Sequence, residues 1–172
     1  DPCNIMHNPL ISIILTTYNR AWCIERAINS VLSQSYKNYE LILVNDGSTD
    51  NTQAFLKKNN YLNNPFIKYI RLEENMGMGY ARNIGFDNAA GDLLLNLDSD
   101  DEFVTDALEV IRDDYPLLKD DSLGGLIYRR VDHQGQFTGR FPSDISRLSY
   151  IDFVENKKVT GDFVPVFKKA FI

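Results

Sequence analysis

The chain has 172 residues, 44% of them hydrophobic, and a formal net charge of −6, which suits one domain with one sizeable core. Nothing in this acidic balance points to an electrostatic partnership with nucleic acid or an anionic membrane surface, so an anionic ligand needs a local cation. Cys3 and Cys23 are too few for a disulfide scaffold and lack zinc spacing, and His7 and His133 lie far apart in sequence, so a reducing compartment fits best.

In chain order, Leu10-Ile11-Ser12-Ile13-Ile14-Leu15-Thr16 is rich in β-branched residues and predicts a strand that ends at Thr17-Tyr18-Asn19-Arg20. Ile24, Ala27, Ile28, Val31 and Leu32 then repeat at helical spacing. A second strand, 39–44, is followed by Asn45-Asp46-Gly47-Ser48-Thr49-Asp50, where Asp50 with Gln53 reads as a capping box opening a helix over 52–58. Residues 67–72 alternate as a third strand, and Asn75-Met76-Gly77-Met78-Gly79-Tyr80-Ala81-Arg82-Asn83 enters a helix expected to end at Gly91. The apolar run 93–97 is the fourth strand, and Val104, Leu108, Ile111 and Tyr115 mark a helix stopped by Pro116. Four strand-then-helix units predict an α/β fold, a three-layer α/β/α sandwich with a mostly parallel central sheet. Beyond residue 120 the expectation is a strand over 124–131, a hairpin turn at 133–136, a short helix over 148–157 and a strand over 162–167.

In such a sheet, ligands bind outside the carboxyl ends of the strands. Thr16 to Arg20, Asp46 and Asp98-Ser99-Asp100-Asp101 should therefore share one rim. Three clustered aspartates must be solvated, protonated or neutralised by a cation, and hard oxygen donors suit Mg²⁺ or Mn²⁺. Taken alone, the cluster also reads as a solvated acidic turn before a helix.

Five blocks in register carry a resemblance: Ser12 to Arg20, Ala27 to Ser35, Val44 to Asp50, Asn75 to Asn83, and Leu97 to Asp101. Together they resemble family 2 glycosyltransferases of the GT-A fold. The resemblance covers roughly residues 10–115, and Val166-Phe167-Lys168-Lys169-Ala170-Phe171 looks like the family's later strand-to-helix segment. It implies a nucleotide-sugar donor, UDP being commonest, a Mn²⁺ or Mg²⁺ cofactor, and transfer with inversion to a hydroxyl of a glycan or lipid-linked saccharide acceptor. Thr16, Tyr18 and Asn19 match nucleotide-site positions, Asp46 the carboxylate at the base or ribose, and Arg82 an arginine facing the donor. Asp98 and Asp100 match the DxD motif, the first approaching the ribose or a metal-bound water and the second binding metal. Asp101 could replace Asp100, since sequence does not say which of two adjacent carboxylates points inward.

The expected division is a nucleotide-sugar-binding half over 10–120 and the start of an acceptor half over 121–172, with the family's catalytic carboxylate falling beyond Ile172. Asp162 is then the internal substitute as general base, and the alternative is a nucleotide-sugar-binding domain without turnover. A receiver domain would need an acidic pair after its first strand, where Thr16-Thr17-Tyr18-Asn19 stands, and a sugar nucleotidyltransferase a glycine-rich basic loop there. No apolar run approaches the roughly twenty residues of a membrane span, and the chain's first residues lack signal-peptide anatomy. A cytoplasmic location is therefore expected, with attachment at the membrane's cytoplasmic face through another part of a longer chain left open.

Overall fold

The computed structural model describes residues 8–138, 140, 147, 149 and 162–172. Its first two thirds are the four expected strand-helix units: β1 (Ile11–Thr17), α1 (Ile24–Leu32), β2 (Tyr39–Asn45), α2 (Thr52–Lys58), β3 (Ile67–Arg71), α3 (Met78–Asp87), β4 (Leu93–Asp98) and α4 (Ala107–Asp114). Then come β5 (Gly125–Arg129) and β6 (Phe163–Lys168). The strands form one sheet in the order β3-β2-β1-β4-β6-β5. β3, β2, β1 and β4 run parallel, whereas β6 is antiparallel to both β4 and β5.

β1 is central, so both of its faces are covered, and its sequence is an almost unbroken apolar run rather than an alternating one. Successive side chains still point to opposite faces. Ile11, Ile13 and Leu15 pack into the larger core with Ile24, Ile28 and Val31 of α1, Leu56 of α2, and Leu108 and Ile111 of α4. Ile14, Ile42, Val44 and Leu94 meet Ala81 of α3 in a smaller cluster on the opposite face. These two layers of helices about the sheet are the predicted sandwich. Each fully buried Ile or Leu contributes roughly 1.5–3 kcal/mol of transfer free energy.

Several element ends differ from expectation. α3 stops at Asp87 rather than near Gly91, because Asn88 caps it, its side-chain amide donating to the Ile84 carbonyl at 2.9 Å. Gly91 instead lies against β1, its N–H donating to Ser12 Oγ at 2.8 Å. The Asp50 carboxylate accepts the Thr52 N–H at 2.9 Å, but α2 begins after Asn51 and the buried Gln53 Oε1 has no partner among the described residues. The reciprocal half of the expected capping box is therefore not made. At the far end, the turn at 133–136 is present, closed by a bridge between Val131 and Phe137. The expected helix over 148–157 lies outside the described residues.

Candidate functional site

Register decides which residues meet at the rim. Thr16 pairs with Val44 of β2 and with Asp98 of β4, and partners in parallel strands project from the same face. That face is the one bearing Ile14 and Leu94, covered by α3. The Asp46 N–H donates to the Thr17 carbonyl at 2.9 Å, which extends the ladder one step past β2. Thr16 and Asp98 thus meet at the switch point between β1 and β4, where the strand order turns back, and Asp46 stands just past the end of β2 on the other side of β1.

Asp46 is buried, 3% exposed, and its two oxygens accept the N–H groups of Met76 and Gly77 at 2.8 and 3.0 Å. The loop entering α3 is therefore tied to the end of β2. Close approach requires Gly47: its φ is +65°, and a Cβ there would lie 2.3 Å from the Glu74 carbonyl carbon. Asn19, in the left-handed region with φ of 54°, makes a second lace. Its carboxamide oxygen accepts the N–H groups of Thr49 and Asp50 at 2.8 and 3.1 Å, and its own N–H donates to Ser48 Oγ at 3.0 Å. Asn is one of the few residues that tolerate this backbone conformation. Tyr18, by contrast, is 41% exposed beside these laced loops. Burial pushes the Asp50 carboxyl up, but hydrogen bonds from Thr52 and Ala21 outweigh it and leave the group below its usual range.

The acidic cluster is not uniform. Asp98 Oδ1 accepts from Arg82 Nη2 at 2.6 Å, so α3 contributes a counter-charge across the crevice. Asp101 forms an ion pair with Arg130, which follows β5. Burial holds the Asp101 carboxyl above its usual range; Arg130 opposes this, and Asp98 and Asp100 add to it. Asp100 is exposed and its carboxylate makes no ion pair among the described residues. The turn itself is closed by Asp101 N–H donating to the Asp98 carbonyl at 3.0 Å. Behind it, α1 and the turn after it hold the descending chain: Ser30 Oγ accepts the Phe103 N–H at 3.1 Å, and Gln34, just past α1, donates to the Val104 carbonyl at 2.7 Å and accepts the Leu108 N–H at 3.0 Å.

Among the described residues no three His, Cys, Asp or Glu side chains are placed to hold a metal; Asp98 and Asp101 are each paired with an arginine on a different element. What remains, an open carboxylate at Asp100 with Asp98 nearby in the turn, fits Mg²⁺ or Mn²⁺. Such ions keep several waters and take only one or two carboxylates when phosphate oxygens complete the shell. Asp162 is exposed and immediately precedes β6. Because β6 runs antiparallel to β4, its start stands at the same rim as the end of β4.

Arg130, Ser30 and Gln34 were not singled out from the sequence as site residues. Gln34 carries a signal in hindsight, a glutamine buried at 0% exposure that must satisfy its amide internally. Arg130 carries none, since its partner comes from a strand two places away in the sheet.

The α/β/α sandwich with its mostly parallel sheet has the GT-A fold, as its likeness to solved structures shows. Within it, the sequence profile of Glycosyl transferase family 2 matches residues 12–169, and the chain belongs to that family. It is 32% identical over 167 residues to the GalNAc(5)-diNAcBac-PP-undecaprenol beta-1,3-glucosyltransferase of Campylobacter jejuni, covering 95% of this chain and 53% of that protein. Among solved structures it resembles S. aureus TarS 1-349 in complex with UDP-GlcNAc, with a TM-score of 0.64 at 23% identity over 93% of this chain and 45% of that one. It also resembles the mannosyltransferase PcManGT of Pyrobaculum calidifontis in complex with GDP-Man and Mn²⁺, with a TM-score of 0.62 at 22% identity over 73% of this chain and 36% of that one. The chain spans 41%, 17% and 53% of the length of three curated glycosyltransferases it matches, the Campylobacter protein being the third. No helix among the described residues is long and apolar enough to cross a membrane.

Proposed function

We propose that this glycosyltransferase chain binds a UDP-sugar with Mn²⁺ or Mg²⁺ and passes the sugar, with inversion, to a hydroxyl of a glycan or lipid-linked saccharide at the cytoplasmic face of the membrane. The observation that carries the reading is the gathering of Thr16, Asp46, Asp98 and Arg82 on one face of one rim, with Asp100 open beside them. In support, TarS has been seen with UDP-GlcNAc and PcManGT with GDP-Man and Mn²⁺, while the Campylobacter relative is named for an undecaprenol-linked acceptor.

On this reading residues 10–120 bind the donor and residues 121–172 begin the acceptor side. Tyr18 and Thr16 border the base, Asn19 and Asp46 fix the loops around it, and Asp46 keeps unused lone pairs for the base or ribose. Asp98 meets the ribose, and Arg82, already beside it, lies within reach of the diphosphate. Asp100, with help from Asp98, holds the cation. When bound, that cation stabilises the negative charge that grows on the leaving diphosphate. Asp162 takes the proton from the acceptor hydroxyl, a role worth roughly 10²–10⁴-fold in rate.

Thermal melts against UDP, GDP and dTDP, each with Mn²⁺ and with EDTA, test the donor assignment, since a ligand specific for the folded state raises stability by linkage. A shift confined to UDP with Mn²⁺ is expected, and no shift with any of the nucleotides would refute the reading. Asp162→Asn should leave UDP binding unchanged and slow transfer. Undiminished turnover in that variant would remove Asp162 from the mechanism.

A further inference from the structure

We infer that Arg130 is a positioning residue of the donor site: it engages Asp101 so that Asp100, rather than its neighbour, is the carboxylate presented to the divalent cation. The inference rests on the metal-dependent reading above and deepens it. Two adjacent aspartates in a turn offer two ways to present an oxygen to a bound ion. Here the choice is made by an arginine that no local motif contains.

The topology explains how Arg130 arrives. β4 and β5 are both antiparallel to β6, so β5 runs in the same direction as β4 and also ends at the rim. Two strand spacings, about 10 Å, separate β4 from β5, with the start of β6 between them. A long side chain is needed to cross that gap. Arg130 crosses it to Asp101, and both side chains are largely withdrawn from solvent, at 32% and 29% exposure.

The arm that carries Arg130 is itself fixed. Thr138 N–H donates to the Arg130 carbonyl at 3.1 Å, and Val131 bridges Phe137. The Arg129 guanidinium lies 3.5 Å from the Phe137 ring centroid. Asp132 Oδ1 accepts the N–H groups of Gln134 and Gln136 at 2.9 and 2.8 Å, which closes the turn. An ordinary exposed ion pair must order two long side chains and contributes little. This one starts from a braced backbone and ends on a carboxylate whose neighbours, Asp98 and Asp100, repel it.

Arg82 and Arg130 therefore divide the cluster. Asp98 is held from the α3 side and Asp101 from the β5 side, which leaves Asp100 facing solvent between them. Without Arg130, Asp101 is free to turn toward the ion, and the site gains a second candidate ligand.

The test is a double-mutant cycle on Mn²⁺ affinity, read by calorimetry and by the electron paramagnetic resonance signal of free Mn²⁺ in the presence of UDP, with no turnover required. Asp101→Asn alone should change Mn²⁺ affinity less than about threefold, whereas in an Arg130→Gln background the same change should weaken it about tenfold or more. Asp100→Asn serves as the variant that loses a ligand outright. If Asp101→Asn lowers affinity by the same factor in both backgrounds, the two charges act only at a distance and the inference fails. It fails equally if Asp101→Asn alone matches Asp100→Asn. Should Arg130→Gln melt below the assay temperature, Arg130→Met, which keeps the apolar stem, provides the background. A wild-type protein that binds UDP equally well in EDTA and takes up no Mn²⁺ overturns the metal-dependent reading itself, an outcome distinct from an additive cycle.

Discussion

Replacing Asp46 by alanine removes the one carboxylate that ties the loop before α3 to the end of β2. Two bonds are lost, from Met76 and Gly77 at 2.8 and 3.0 Å. A hydrogen bond to a charged group is worth roughly 1.5–3 kcal/mol net. Met76 is 48% exposed, so water can reach the freed N–H groups and the lower figure applies; the pair then amounts to about 3 kcal/mol. For a chain of this size each kcal/mol moves the melting temperature by about 2–4 °C, so a fall of about 6–12 °C is expected in EDTA. The same carboxylate is assigned to the base or ribose, and its loss should weaken uridine and UDP alike by roughly ten- to hundredfold. Asp46→Asn keeps one accepting oxygen but turns an NH₂ toward the other N–H, and should fall between the two. Thermal melts and calorimetric titrations with uridine and UDP, with and without Mn²⁺, measure both effects. If Asp46→Ala binds uridine normally and loses only its dependence on metal, the carboxylate belongs to the cation and the assignment is wrong.

Asp100→Asn should reduce UDP affinity in Mn²⁺ to the value the wild type shows in EDTA; wild-type affinity unchanged by EDTA, measured by the same calorimetry, would contradict this. Gly47→Ala combines a φ of +65° with a Cβ 2.3 Å from backbone, so a loss of more than about 3 kcal/mol is expected, and denaturant unfolding within about 1 kcal/mol of wild type would show that the loop can move aside. Asp50 has a lowered carboxyl pKa in the fold, so its contribution is fully present above the unfolded value near pH ~4 and is lost as the pH falls through the folded value. Asp50→Asn should therefore flatten the acid limb of melting temperature against pH, and an identical limb in both proteins would count against those hydrogen bonds.

The parallel core was legible because burial on both faces leaves a plain mark: 11–15, 41–44 and 93–95 are nearly continuous apolar runs, each followed by polar residues at the rim. Helix α1 was equally legible from the spacing of Ile24, Ala27, Ile28 and Val31, all buried. The element ends were not, since they depend on single polar contacts. Asn88 closes α3 before Gly91 is reached, and Gln53 has the identity a capping box asks for without making its bond. Residue type states what a side chain can do; the geometry of the neighbouring turn decides whether it does it.

For the site, the sequence could say which carboxylates reach the rim, because strand ends follow from strand positions. It could not say which of them are already paired. Arg82 lies on the helix just before β4 and belongs to a recognisable block, so its approach to Asp98 was within reach of the sequence. Arg130 reaches Asp101 only because β6 inserts between β4 and β5 and reverses direction, a fact of sheet order that no local pattern contains. The pairing matters for the chemistry. Once Asp98 and Asp101 are each matched by an arginine, the turn carries one unmatched negative charge at Asp100 rather than three. A diphosphate would be repelled by three, and a cation held by three buried carboxylates would have little reason to share its shell with phosphate oxygens. On the proposed reading, the one open carboxylate, beside two that are already matched by arginines, would hold a divalent ion and leave most of its coordination shell for the nucleotide.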